Sequence, residues 1–212
     1  MDYKEILNNP EYQEIASLNH DEIKPFVINE IAENQGWARV ANMYQLLGIF
    51  AFILGIFKAF IPFYTNREYI YLVSLFAGVG FLFTIGIILH ELIHTLTYKY
   101  LGAKRISGGF SLKKFTFYVQ ADGEVFNYKQ FKIVALAPAT VISVLSIVGM
   151  AIFYNQPFFY FFLSIFALHS LCCGGDFGLL CFFQNRKDEE IVTFDVKSEG
   201  KTYFYKRKKG LF

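Results

Sequence analysis

His90, Glu91 and His94 stand in the stretch HELIH, and their types and spacing could do hydrolytic chemistry on a metal ion. On a helix, residues four apart lie on one face with Cβ atoms about 5–6 Å apart, so both imidazoles can reach a single ion at about 2.0–2.1 Å. Glu91, one position on from the first histidine, is displaced around the helix and can stand beside a reacting water instead of binding the metal. A catalytic zinc ion also needs a third protein ligand, with the fourth position left open. Asp176, in the run HSLCCGGD at 169–176, is the expected third ligand, because it is the only other acid within a long apolar run. His169 lies seven residues before Asp176 and therefore on its helical face. Its expected part in catalysis is to orient a ligand or to donate a hydrogen bond to the developing oxyanion, and it is the substitute if Asp176 is not a ligand.

The elements that must position these residues belong to a lipid solvent. Of 212 residues, 54% are hydrophobic, 19% aromatic and only 18% charged, which is too apolar for a soluble chain. The net charge of +2 gives no basic surface for nucleic acid. Cys172, Cys173 and Cys181 lack the paired spacing of a structural zinc site or a disulfide framework and read as buried packing residues. The polar N-terminal stretch does not have the pattern of a cleaved secretory signal. Four apolar runs, at roughly 44–64, 70–98, 131–154 and 157–183, each hold the roughly 20 helical residues that cross a bilayer. Asn66-Arg67-Glu68 and Asn155-Gln156-Pro157 read as tight turns that make two helical hairpins.

The expected class is an all-α membrane protein of four spans, with residues 1–43 and 185–212 outside the 44–184 membrane domain. Lysines and arginines crowd the N-terminal segment, the 99–132 connection and the tail, while the opposite turns offer only Arg67, so both termini are expected in the cytoplasm. Residues 21–35 read as an amphipathic helix that packs on its own domain or lies on the membrane. A β-hairpin is expected within about 106–130, from the alternation of Phe115, Phe117 and Val119 and a turn at Asp122-Gly123. The basic tail, including Lys187 and Lys209, reads as solvated or lipid-facing.

Depth is consistent with one site. His90 lies nine residues before Lys99 and Asp176 ten before Arg186, so both stand about 14–15 Å from the same end of their spans. Three ionisable side chains in five residues of a lipid-embedded helix are costly to bury and mark a functional site. Two plainer readings stand beside this one: the histidines hydrogen-bond across the bundle with Glu91 as counter-ion, and Asp176 caps a helix broken at Gly174-Gly175. Those glycines are otherwise expected to let helices approach closely.

HELIH at 90–94, the Ala137-Pro138 step and HSLCCGGD at 169–176 together resemble the bacterial family of membrane-embedded zincin peptidases, which is distantly similar to the site-2 proteases. The likeness covers roughly residues 40–185. It implies Zn2+ held by His90, His94 and Asp176, Glu91 as catalytic acid and base, a membrane-protein or peptide substrate, and a place in the bacterial cell membrane. Where the site-2 proteases carry Leu-Asp-Gly, this chain reads Gly175-Asp176-Phe177-Gly178, so the resemblance assigns no oxyanion donor. Two other classes keep the same residues: a metal-binding or transport protein, in which Glu91 has no catalytic part, and a non-catalytic membrane adaptor, in which Glu91 is dispensable.

Overall fold

The computed structural model describes residues 2–19, 22–33, 36–111, 116–186 and 189–208. Phe115, Lys187, Lys209 and the ends of the 21–35 segment lie outside the described residues, as do Lys113 and Lys114 of the 99–132 connection. The chain divides into two compact units. The first holds Met1–Ala38, His94–Leu136 and Gly175–Phe212, and the second holds Arg39–Ile93 and Ala137–Gly174.

In the second unit lie most of the apolar helix. Trp37–Asn66 forms α3, Ile70–Phe81 forms α4, a π-helical turn follows at Leu82–Gly86, and Ile87–Tyr100 forms α5. Further along the chain, Tyr128–Ile152 forms α6 and Phe158–Cys172 forms α7. Trp37–Asn66, the continuous Ile70–Tyr100 and Tyr128–Ile152 are each long and apolar enough to cross a membrane. The expected fourth span is broken instead: α7 and the following α8, Gly174–Asn185, meet at 41°, so a fourth crossing requires both pieces. Met43, Leu46, Phe50 and Phe57 on α3 expose over half of their surface, a cost in water and none in lipid.

Both short turns read from sequence use the left-handed backbone region, with Arg67 at φ 60° and Asn155 at φ 62°. Asn reaches this region readily because its short polar side chain can bond locally. Small residues do let helices approach, closely at Gly48 and Gly78 and less so at Gly174, where a Cβ would stand 3.2 Å from Gln45 Nε2. A Cβ on Gly78 would stand 2.4 Å from the Phe161 carbonyl oxygen, and one on Gly48 2.6 Å from that of Ala167, whereas Gly175 has nothing within 4 Å. The paired glycines sit at the helix break, where α8 leaves the line of α7.

The first unit corrects the all-α expectation. Besides α1 at Tyr3–Leu7 and α2 at Ile23–Glu33, it carries β1 (Tyr12–Asn19), β2 (Ile106–Ser111), β3 (Thr116–Ala121), β4 (Phe126–Asn127), β5 (Ile191–Val196) and β6 (Lys201–Arg207). Four of these form one sheet in the order β1-β6-β5-β4, all antiparallel. The tail is therefore structure and not a solvated run: Thr193 and Phe194 of β5 pair with Phe204 and Tyr203 of β6, and Arg207 of β6 pairs with Glu11 at 3.0 Å. Exposed pairs of this kind add about 0–1 kcal/mol, so the apolar face must carry the sheet. β2 and β3 do pair as a hairpin, Ser111 opposite Thr116 and Ile106 opposite Ala121. Asp122-Gly123 is not their turn; it follows β3, and Phe126-Asn127 pairs with β5.

Core packing in this unit centres on Phe182, Phe183, Leu18, Ile191 and Phe204. Phe204 of β6 is fully buried, with its ring 4.5 Å from that of Phe182 on α8 and 5.8 Å from that of Phe183. Phe26 of α2 joins the same stack, and Glu30 of α2 pairs with Arg186 at 3.2 Å, so α2 packs on its own unit. Truncating a buried Phe typically costs about 3–5 kcal/mol. Phe204→Ala is expected to lower the thermal unfolding midpoint of the purified protein, and an unchanged midpoint would mean that the tail strand is not part of the cooperative unit.

Candidate metal centre

A π turn precedes the HELIH stretch on the second apolar helix. Each added residue rotates everything after it by roughly 100° at 3.6 residues per turn, so this turn re-aims the face that carries the histidines. Thr84 sits inside it and donates its hydroxyl to the Gly80 carbonyl at 2.8 Å, supplying a partner where the helical ladder changes step. A threonine between glycines at 80 and 86 in an otherwise apolar run was the only local sign of it.

Within the first unit, His94 and Asp176 face each other. His94 Nε2 stands 3.5 Å from Asp176 Oδ1, and His94 is 8% exposed. Its other nitrogen, Nδ1, lies 3.2 Å from the Val134 carbonyl oxygen on α6. A carbonyl can only accept, so Nδ1 carries the proton and donates. Nε2 then presents a lone pair toward a carboxylate oxygen, and two acceptors face each other stably only with a cation between them, either a proton or a metal ion. The spacing suits a metal: two ligands each about 2.0–2.2 Å from one tetrahedral zinc stand roughly 3.4 Å apart. Asp176 is half-buried in the first turn of α8, where the helix dipole favours a negative charge. The break at Gly174 thus serves both plainer and functional readings: it starts a new helix, and the acid sits at that helix's positive end.

Within the second unit, His90 and His169 are joined. His90 Nδ1 lies 3.0 Å from His169 Nε2, and Cys173 Sγ lies 3.6 Å from His169 Nδ1. His169 and Cys173 are fully buried, while His90 is half-buried. With His90 Nδ1–H donating to His169 Nε2, the proton of neutral His169 rests on Nδ1, and the Cys173 sulfur, 3.6 Å from Nδ1 and 3.8 Å from Nε2, stands beside the ring. Of the three cysteines expected to be packed, Cys173 and Cys181 are buried but Cys172 is exposed. Its place at the end of α7, beside the break, turns it outward. Cys173 packs against the ring of His169, four residues or one helical turn before it.

Both histidines of HELIH therefore have Nδ1 engaged, one by a backbone carbonyl and one by an imidazole, and α5 carries them one turn apart. Glu91 lies between them in sequence and is half-buried. The chemistry that such a set can do is that of a metal-dependent hydrolase: nitrogen and carboxylate donors for a divalent ion, and a carboxylate for proton transfer.

The family described as "putative zincin peptidase" matches residues 83–190, half of the chain, and this protein belongs to it. That stretch contains HELIH, Pro138, His169, Cys173 and Asp176. No curated protein and no solved structure matches the chain.

Proposed function

We propose that this protein is an intramembrane zinc metallopeptidase that hydrolyses peptide bonds of membrane or membrane-associated proteins, with His90, His94 and Asp176 as the zinc ligands. The observation that carries this reading is the 3.5 Å approach of His94 Nε2 to the Asp176 carboxylate while Nδ1 is committed to Val134. The family, the single helix carrying both histidines and the length of the apolar helices support it.

Zinc bound there supplies Lewis acidity toward a peptide carbonyl and brings water into reach of ionisation near neutral pH. Glu91 does the proton work. Its carboxylate accepts a proton from the attacking water and hands it to the departing amine, so one side chain serves as base and then acid. Asp176 adds a negative charge and completes the donor set. His169 acts on His90 and not on the substrate: its ring engages Nδ1 and so turns Nε2 to the metal, the outer-shell part that carboxylates and carbonyls play for other ligating histidines. An extended segment of a membrane protein is the substrate this chemistry suits, since peptide bonds inside a helix are hydrogen-bonded and shielded. The termini are placed in the cytoplasm by the lysine and arginine bias alone.

Purified protein supplied with zinc is expected to hold one equivalent, to cleave a single-span reporter with an unstructured juxtamembrane stretch, and to lose cleavage with a strong chelator and regain it on zinc addition. Cleavage that persists through chelation, or a protein that retains no zinc, would overturn the reading. Zinc retention with no requirement for Glu91 would favour the transport or adaptor classes.

A further inference from the structure

We propose that Pro138 is a positioning residue for the metal centre: the backbone N–H it lacks frees the Val134 carbonyl, and that carbonyl holds His94 in the tautomer that can bind a metal. The inference rests on the reading of His94 as a ligand and concerns what makes it one.

In an α-helix the carbonyl of residue i accepts from the N–H of residue i+4, so the partner of Val134 would be residue 138. Proline has no N–H, and α6 carries Pro138 in its interior. The Val134 carbonyl is thereby released from the ladder in a place where water is scarce: Val134 is 2% exposed and Pro138 is among the fully buried side chains. A buried carbonyl left without its helical donor needs another, and membrane helices tolerate proline where a neighbouring group supplies one. Here the donor is His94 Nδ1 at 3.2 Å.

The consequence is chemical. A neutral imidazole carries one ring proton, and Asp176 and Val134 compete for that of His94. The Asp176 carboxylate, 3.5 Å from Nε2, is the stronger acceptor and by itself would draw the proton to Nε2, where it blocks metal binding. The Val134 carbonyl at Nδ1 pulls the other way and leaves the Nε2 lone pair facing the carboxylate. Had residue 138 been any other amino acid, its N–H would share that carbonyl and the bias would weaken. Proline is the costliest residue in a helix interior, which makes a site-directed use of it a physical reason for its presence.

Two measurements test this. In the metal-free wild type, nitrogen NMR of labelled histidine reads tautomers directly, and with only four histidines in the chain each resonance can be assigned by substitution. His94 is expected with its proton on Nδ1. Pro138→Ala, which restores the N–H, is expected to move the population toward the Nε2 proton and to weaken zinc binding on the order of ten- to a hundred-fold, the usual effect of losing an outer-shell partner. Cobalt substituted for zinc should show an altered absorption band in Pro138→Ala, which a loss of packing elsewhere would not produce. A wild-type His94 protonated on Nε2, or Pro138→Ala with unchanged zinc affinity and cobalt spectrum, overturns the proposal. The tautomer reading needs no variant at position 138, so it stands even if Pro138→Ala does not fold. If His94→Ala keeps its zinc, the ligand reading itself has failed; if His94→Ala is empty and Pro138→Ala is normal, only this inference has.

Discussion

Glu91→Gln is expected to abolish peptide cleavage while leaving zinc content unchanged. The two side chains share shape and size, so the substitution keeps packing on α5 and removes only the capacity to accept a proton. A positioned general acid–base contributes on the order of 10²–10⁴-fold to a rate, and here one residue serves both half-steps, so the loss should reach the upper part of that range. Metal analysis and cleavage kinetics on the same preparation give three separable outcomes. Loss of turnover with full zinc fits the base. Loss of both would make Glu91 a ligand, displacing Asp176 or joining it. Retention of both would remove catalysis by this residue and leave the transport or adaptor class.

The second large effect concerns Asp176. Asp176→Ala takes away one donor and the negative charge that faces His94 Nε2 at 3.5 Å. Outer-shell partners alone are worth about 10–100-fold in affinity, so loss of a ligand should weaken zinc binding by more than roughly a hundred-fold. His94→Ala should do the same. Zinc measured by competition with a chromogenic chelator distinguishes the cases: wild-type affinity in Asp176→Ala would move the third ligand elsewhere, and the same measurement on His169→Ala would then test the substitute that the sequence offers.

Some of this was readable residue by residue. The i, i+4 spacing of His90 and His94 is a local property of a helix, and helix is what an apolar run in lipid must form, so their shared face followed from sequence. The turns at Arg67 and Asn155 were equally local, because short polar breaks between apolar runs leave the chain few conformations. The Gly174-Gly175 pair marked an irregularity but not its kind: close approach and helix break both use glycine, and the choice depends on what packs nearby. Pro138 was visible as part of a motif without a task, since the carbonyl it frees matters only through the histidine that meets it.

The sequence by itself determined the apolar helices, the paired histidines with Glu91 between them, and Asp176 as the acid of the late Gly-Gly-Asp element. Tertiary structure decided the rest: β1 and β6 pair Tyr12 with Arg207 across nearly the whole chain, and a strand has no signature stronger than the partner that completes its hydrogen bonds. It also decided what engages Nδ1 of each histidine, Val134 for His94 and His169 for His90. The physical reason is the same in both cases, because helix periodicity is fixed by neighbours along the chain, whereas hydrogen-bond partners are fixed by whatever distant residue the fold brings within 3 Å or so.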